Sequence, residues 1–239
     1  MFPIRDLNPK HSATVLTLLI IAANVAVFFF WQPFGQGVQA ETEFLYERAA
    51  VPCELTEQRP IVAADLALGE CAPAALGQAF FPEKNLWLSV LTSMFLHAGL
   101  LHLLGNMWFL WIFGDNVEDA FGHVGFILVY VLSGIAATAG FVWLHPTETV
   151  PLIGASGAIA GVLGAYLVLF PLRPVLALLG LFVLPVPALL FIGVWFLGQF
   201  AVDAPGVAWE AHVAGFIAGV VLTLLAKPAL RRSTRASRG

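Results

Sequence analysis

Three segments of the chain place polar side chains that could do chemistry within otherwise apolar runs. The first contains His97, His102 and Asn106, the second contains Ser156, and the third contains His212. A serine hydroxyl becomes a nucleophile when a histidine within hydrogen-bond reach takes its proton. Histidine, asparagine and free backbone N–H groups can stabilise the oxyanion that then forms. Together, these residue types are the parts of an acyl-transfer site.

His102 and Asn106 are four residues apart, so on a helix they share one face and can donate toward one point. His97 is five residues before His102, which is a poor spacing for a shared metal. The H-E-x-x-H pattern of zinc proteases is absent from the sequence. The alternative interpretation is that these side chains only hold neighbouring helices together by hydrogen bonds. We expect no metal and no other cofactor.

Ser156 stands in the segment Gly-Ala-Ser-Gly, where a helix is expected to begin with this serine as its N-cap. From Ser156 to Phe170 the helix would be about 22 Å long, which is shorter than the ~30 Å hydrocarbon core of a bilayer. The hydroxyl, free N–H groups and the positive end of the helix dipole would then lie below the membrane surface. The alternative is a face of small residues that serves only helix packing.

His212 shares one helix face with Gly215 and Gly219. Glycines let two helices approach closely. The helix that follows Ser156 offers a matching set of glycines: Gly157, Gly161 and Gly164. We expect this approach to bring His212 within hydrogen-bond distance of Ser156. The alternative is a histidine that is bonded only to a backbone carbonyl.

No carboxylate is well placed as a third member of this site. Glu210 is two residues before His212 and points elsewhere on a helix, and Asp203 lies in a loop. We therefore expect a Ser–His dyad.

The composition favours a membrane protein with several spans. Of the 239 residues, 59% are apolar (AVILMFWYC) and only 11% are charged, whereas soluble domains carry roughly 25% charged residues. The formal net charge is −4, and no basic face is present to bind nucleic acid. A soluble enzyme, a disordered chain and a nucleic-acid binder are all poor fits.

Six apolar runs are expected to form membrane-spanning helices. They are residues 13–31, the run from Leu100 onward, and residues 124–144, 150–170, 175–202 and 211–226. Residues 87–95 are expected to lie at or dip into the interface. Pro185 and Pro187 fall within the fifth run, where they would weaken the helix beside a lateral entrance or make a static kink. The loop 201–209 could act as a lid over the site.

Basic residues near spans stay on the cytoplasmic side. They occur at Arg5 and Lys10, at Arg173, and in the tail from Lys227 to Arg238. Six spans with both termini inside satisfy all three groups. The chain thus divides into a cytoplasmic N-terminus (1–12), a membrane domain (13–226) with an extracytoplasmic loop (32–85), and a basic cytoplasmic tail (227–239).

The two cysteines of the chain, Cys53 and Cys71, both lie in the extracytoplasmic loop. An oxidising compartment would allow a disulfide between them. The alternative is a pair of free thiols.

With these segments in this order, the chain resembles the rhomboid family of intramembrane serine proteases. The residues that carry the resemblance lie on the expected second, fourth and sixth spans: His97-x4-His102-x3-Asn106, Gly154-x-Ser156-Gly157 and Ala211-His212-x2-Gly215-x3-Gly219. The resemblance implies an all-α polytopic membrane protein, a bundle of six transmembrane helices.

The resemblance also implies the roles of the site residues. Ser156 would be the nucleophile and His212 the general base, while His102, Asn106 and the Ser156 backbone N–H would form the oxyanion hole. Many family members have an aromatic residue one turn after the serine, where this chain has Ala160. The orientation of His212 must then come from other packing.

The resemblance implies a serine endopeptidase whose partners are the lipid bilayer and single-span membrane substrates. These substrates would be cleaved in or near their transmembrane segments. The expected location is a bacterial cytoplasmic membrane, with the active site opening to the extracytoplasmic side. The alternative is a catalytically inactive rhomboid-like protein that binds membrane clients. A transporter or channel is disfavoured, because the runs contain almost no charge and no internal repeat.

Overall fold

The computed structural model describes residues 1–72, 77–201 and 207–236, without the side chains of residues 229 and 231–236. Its helices are α1 (Val15–Phe30), α2 (Val38–Arg48), α3 (Pro52–Glu57), α4 (Ala63–Leu68), α5 (Leu86–Ser93), α6 (Leu100–Leu144), α7 (Ser156–Leu169), α8 (Ala188–Gln199) and α9 (Trp209–Ala236). Its strands are β1 (Phe2–Asp6), β2 (Pro174–Leu179) and β3 (Phe182–Pro187). The protein is therefore mostly helical, as predicted.

In the described part of the chain, two helical stretches are long and apolar enough to cross a membrane: Leu100–Leu144 and Trp209–Pro228. The 45-residue helix α6 is broken at Gly122, whose φ of 68° lies outside the helical region. The break separates residues 100–121 from 123–144, which match the predicted second and third runs. Three shorter apolar helices, α1, α7 and α8, lie in the first, fourth and fifth runs.

Helix α7 is the centre of the bundle. All residues from Gly157 to Tyr166 are buried, and they pack against α6, α8 and α9. Near its C-terminal end, the Tyr166 ring meets Phe113 edge-on at 5.1 Å between centroids. Large apolar side chains on the outer helices are exposed instead, such as Leu132 on α6 and Leu197 on α8. The buried helix thus carries Ser156 at its N-terminus into the middle of the molecule.

The expectation of an all-α fold with a fifth helix over residues 175–202 is wrong. Strands β1, β2 and β3 form an antiparallel sheet in that order. In the described part of the fifth run, only Ala188–Gln199 is helical. Pro185 and Pro187 lie in β3 and do not kink a helix, since proline in a helix interior removes a hydrogen bond and clashes with the preceding turn. Most of the proposed lid, residues 202–206, lies outside the described residues.

The segment between α1 and α5 has a small core of its own. A disulfide joins Cys53 to Cys71, with 5.5 Å between their Cα atoms. Lys84 pairs with Glu54, and both side chains are buried. The Arg59 guanidinium hydrogen-bonds Asp65 and lowers the pKa of that carboxyl to about 2.

This outer segment is bonded to the loop that precedes α7. The Leu152 N–H donates to the Ala50 carbonyl at 2.8 Å, and the Gly154 N–H donates to the Ser93 carbonyl at 2.9 Å. The Ser93 hydroxyl in turn accepts the Ala50 N–H at 2.7 Å. The backbone approaching Ser156 is therefore held from outside the bundle.

Candidate active site

Ser156 and His212 are brought together although they are far apart in sequence. The Ser156 Oγ and the His212 Nε2 are 2.9 Å apart, a hydrogen-bond distance. The N-cap of α7 is Ala155 and has no side-chain capping bond, so Ser156 is the first helical residue and not the predicted cap. Its hydroxyl is thus free to bond His212.

Glycine contacts between α7 and α9 make this distance possible. A Cβ on Gly215 would lie 2.1 Å from the Gly157 carbonyl oxygen, and a Cβ on Gly219 would lie 1.9 Å from the Gly161 carbonyl oxygen. Neither position can hold a side chain without moving backbone. The predicted close approach of these two glycine faces is confirmed.

The second ring nitrogen of His212 meets a residue that the sequence reasoning missed. His212 Nδ1 lies 2.7 Å from the Gln199 Oε1, while the Gln199 Nε2 donates to the Trp195 carbonyl at 3.1 Å. The signal was present in the sequence, because Gln199 is a polar residue at the end of the otherwise apolar α8. Polar groups at membrane depth are functional candidates by default.

His102 lies beside Ser156 across Gly154. A Cβ on Gly154 would lie 2.9 Å from His102 Nε2 and 3.4 Å from Ser156 Oγ, and the φ of Gly154 is +122°. Both the space and the backbone conformation therefore require glycine at this position. His102 Nδ1 accepts the Ala98 N–H at 3.4 Å, which leaves Nε2 as the nitrogen that can donate toward Ser156.

Asn106 lines the same cavity as His102, one helical turn further along α6. Its Nδ2 is buried and has no hydrogen-bond partner among the described residues. A buried donor without an acceptor is uncommon in folded proteins. The Ser156 N–H, in the first turn of α7, also lacks an intrahelical acceptor. The cavity that Ser156 lines thus also contains the side chains of His102 and Asn106, both of which can donate hydrogen bonds.

His97 supports this arrangement and does not line the cavity formed by the described residues. Its backbone N–H donates to the Gln32 Oε1 at 2.9 Å, and the Gln32 Nε2 donates back to the His97 carbonyl at 2.9 Å. The His97 and His102 rings meet edge-on with centroids 5.1 Å apart. His97 therefore packs against the side chain that faces Ser156.

The cavity lined by Ser156 and His212 has a volume of about 920 Å³. Polar groups line one part of it, and apolar side chains line the rest: Met94, Leu101, Phe109, Phe141 and Trp195. Among the described residues, no group of three or more His, Cys, Asp or Glu side chains is placed to hold a metal ion. The cavity can thus take a largely apolar molecule whose polar group meets Ser156.

A family model described as the Rhomboid domain matches residues 84–229, more than half of the chain. The chain belongs to the rhomboid family. The matched region contains Ser156, His212 and Gln199, as well as His102 and Asn106, whereas the disulfide lies before it. Rhomboid membership makes this an integral membrane protein.

Several known rhomboid proteins are similar to parts of this chain. Rhomboid protein 1, mitochondrial, of Saccharomyces cerevisiae is 35% identical over 56% of this chain and 40% of its own length. Rhomboid protease GluP of Bacillus subtilis is 43% identical over 34% of this chain and 15% of its own length. RHOMBOID-like protein 6, mitochondrial, of Arabidopsis thaliana is 39% identical over 33% of this chain and 25% of its own length. The similarity thus spans less than half of each relative.

Proposed function

We propose that this rhomboid protein is a serine endopeptidase that cleaves single-span membrane proteins in or near their transmembrane segments. The observation that carries the proposal is the 2.9 Å hydrogen bond between Ser156 and His212 at a large cavity. A relative of this chain bears the name rhomboid protease, which agrees with that chemistry.

In the proposed reaction, the Ser156 Oγ attacks the scissile carbonyl carbon while His212 Nε2 takes the hydroxyl proton. The resulting oxyanion receives hydrogen bonds from His102, Asn106 and the Ser156 N–H. His212 then gives its proton to the leaving amine, which breaks the peptide bond. A water molecule, deprotonated by His212, hydrolyses the acyl-enzyme and restores Ser156.

The proposed substrates are transmembrane helices that can unwind locally. Backbone groups in a membrane helix are already hydrogen-bonded, so a carbonyl reaches Ser156 only where the helix opens. Glycine, proline or polar residues near the cut would favour this opening. The apolar wall of the cavity, with Leu101 and Phe141, suits the side chains of such a segment.

We further propose a six-span topology with both termini in the cytoplasm. The break at Gly122 divides α6, whose full length of about 68 Å is more than twice the ~30 Å hydrocarbon core. Its two halves, together with α1, α7, α8 and α9, make six crossings. The site then opens to the extracytoplasmic side of a bacterial cytoplasmic membrane, with the bilayer and membrane substrates as partners. The protein would need neither metal nor nucleic acid.

The decisive experiment is covalent labelling with a fluorophosphonate probe in detergent or liposomes. The probe should react with the wild-type protein and lose its reaction in both Ser156→Ala and His212→Asn. Reaction that persists in His212→Asn would remove the general base from the proposal. A catalytically inactive, client-binding protein would not be labelled and would still retain a single-span partner.

Asn106 gives a separate prediction about the oxyanion hole. Replacing Asn106 by alanine should lower kcat for a single-span reporter by about 10²–10³-fold, because one oxyanion donor is lost. KM and the thermal midpoint should change little, since the Asn106 Nδ2 has no partner among the described residues. Steady-state cleavage in liposomes measures the effect. An unchanged kcat would leave Asn106 as a helix-packing residue only.

A further inference from the structure

His212 needs a fixed tautomer and ring orientation to act as a base toward Ser156. Its Nε2 must carry a lone pair, so the proton must reside on Nδ1. In many hydrolases a carboxylate holds that proton. Glu210, the nearest acid in sequence, is taken by another partner, because its carboxylate lies 2.9 Å from His145 Nε2.

Gln199 supplies the acceptor that His212 Nδ1 requires. The Gln199 Oε1 is 2.7 Å from Nδ1, and the amide end is fixed by its own bond to the Trp195 carbonyl. That bond orients the amide, because only the Nε2 side can donate. Gln199 is also nearly buried, with 9% of its surface exposed, so water competes little for the bond.

A second contact from the same helix supports the ring. The Trp195 ring lies 6.4 Å from the His212 ring between centroids, at an interplanar angle of 34°. Ala160, one helical turn after Ser156, carries only a methyl group and cannot stack an aromatic ring on His212. Both groups that orient His212 therefore come from α8.

We propose that Gln199 is the positioning residue of His212, holding Nδ1 protonated and aiming Nε2 at Ser156. This inference rests on the proposed function, since orientation matters only if His212 is the base. It adds an uncharged third group to the predicted dyad. The amide fixes the ring without placing a negative charge inside the membrane.

Paired variants test this role. Gln199→Met keeps the length of the side chain and removes the acceptor, so kcat should fall about 10- to 100-fold, with KM and thermal midpoint unchanged. Gln199→Glu keeps an acceptor and should retain kcat within about threefold of wild type. Gln39→Met, at an exposed glutamine on α2, serves as the matched control and should leave kcat unchanged. Wild-type kcat in Gln199→Met, or an equal loss in both Gln199 variants, would overturn the proposal.

A measurement without turnover separates this inference from the proposed function. In ¹⁵N-histidine-labelled protein, with the His212 signal assigned by its loss in His212→Asn, the imidazole should carry its proton on Nδ1. Gln199→Met should shift the tautomer ratio toward Nε2. A wild-type ring protonated on Nε2 would refute the role of Gln199 even in a protein that cleaves. The expected tautomer in a protein that does not cleave would leave Gln199 supported and the proposed function rejected.

The hairpin formed by β2 and β3 supports a second inference, which does not depend on catalysis. The hairpin of β2 and β3, residues 174–187, contains no polar side chain. One face packs on the bundle through Val175, Ala177 and Val186, which are buried. The opposite face and the tip are exposed and equally apolar, with Leu181 94% and Phe182 71% exposed. An antiparallel sheet with one face in water normally shows polar residues on that face.

The free edge of the hairpin also has few hydrogen-bond donors. β3 is the edge strand, and Pro185 and Pro187 face Leu176 and Pro174 across the ladder. In antiparallel pairs, N–H groups point alternately toward and away from the partner strand. In β3, the three positions whose backbone N–H would point away from β2 are Val183, Pro185 and Pro187. The two prolines have no N–H, so only Val183 offers a donor on this edge. Few donors would therefore be left unsatisfied if this edge met lipid.

The hairpin also extends a lipid-facing surface that is too short without it. Helix α8 has 12 residues, about 18 Å, against a hydrocarbon core of ~30 Å. Its outer side chains are apolar and exposed, such as Leu190 and Leu197. The hairpin leads directly into Ala188 and continues the same apolar surface.

We infer that the β2–β3 hairpin lies in the bilayer leaflet on the side of the N-terminus, with Leu181 and Phe182 among the acyl chains. The partner is lipid, because this surface is continuous with the lipid-facing side of α8. In this placement the tip side chains contact the acyl chains, and the free edge of β3 exposes few N–H groups to lipid.

Site-directed spin labelling in phosphatidylcholine–phosphatidylglycerol liposomes tests this placement. Leu181→Cys introduces one free thiol, since both native cysteines are bridged. The label should be accessible to oxygen and shielded from a polar nickel chelate, as at Leu132→Cys on α6. Chelate access like that of the aqueous control Thr42→Cys would overturn the inference, as would spin–spin broadening from a second copy. Phe182→Cys gives the same test if Leu181→Cys does not fold.

Discussion

Replacing Ser156 by alanine is expected to abolish cleavage of a single-span reporter, with kcat falling at least about 10⁴-fold. The substitution removes the only oxygen that can attack the substrate carbonyl in the proposed reaction. It should not unfold the protein, because Ala155 is the N-cap of α7 and no side-chain cap is lost. Reporter cleavage in liposomes and thermal unfolding in detergent measure the two effects.

The matched control for this substitution is Ser12→Ala. The Ser12 hydroxyl donates to Asp119, far from the cavity. This variant should cleave the reporter at the wild-type rate. Turnover that survives in Ser156→Ala would mean that another group is the nucleophile.

Replacing Gly219 by alanine is expected to lower both stability and fluorophosphonate labelling, because it disturbs the packing of α9 against α7. The new Cβ would lie 1.9 Å from the Gly161 carbonyl oxygen, and backbone cannot yield like a flexible side chain. Overpacking of this kind lowers the free energy of unfolding by about 1–3 kcal/mol or more. As α9 moves away from α7, His212 leaves Ser156, and a displacement of about 1 Å costs about 10²-fold in rate. The midpoint of thermal unfolding and the extent of fluorophosphonate labelling should both be lower than in the wild-type protein.

Gly193→Ala separates this effect from a general effect of adding a methyl group. Gly193 lies in α8, and its Cβ would meet no atom within 4 Å. This variant should be as stable as wild type or slightly more stable, because alanine favours helix over glycine. If Gly219→Ala is as stable and as well labelled as Gly193→Ala, the packing of α7 against α9 does not depend on close backbone contact.

The sequence predicts the helix packing around the candidate site where local pattern decides the structure. The spacing of His212, Gly215 and Gly219 fixes one helix face, and that face meets the glycines of α7 as expected. The start of the helix at Ser156 was also predictable from the small residues before it. Its role as the first helical residue was not, because capping depends on backbone angles that residue types only bias.

The β2–β3 hairpin and the Gln199–His212 hydrogen bond could not be predicted from the sequence, for different reasons. Residues 174–187 form a uniformly apolar run, and such a run has no periodicity to separate strand from helix. Strand β1 pairs with β2 across more than 160 residues, which local preference cannot reveal. Gln199 was visible as a polar residue in an apolar run, but its bond to His212 depends on how α8 packs beside α9.

Hydrogen bonds between the outer segment and the loop before α7 link the Ser156 hydroxyl to the small core that contains the disulfide. Leu152 bonds Ala50, three residues before Cys53, and Gly154 bonds Ser93. Regions of a protein open locally with different free energies, and small peripheral cores open more readily than a packed bundle. Breaking the disulfide is therefore expected to loosen the loop that holds Ser156 under conditions in which the buried helix α7 stays folded. We therefore expect the proposed activity to be lost before the helix bundle unfolds.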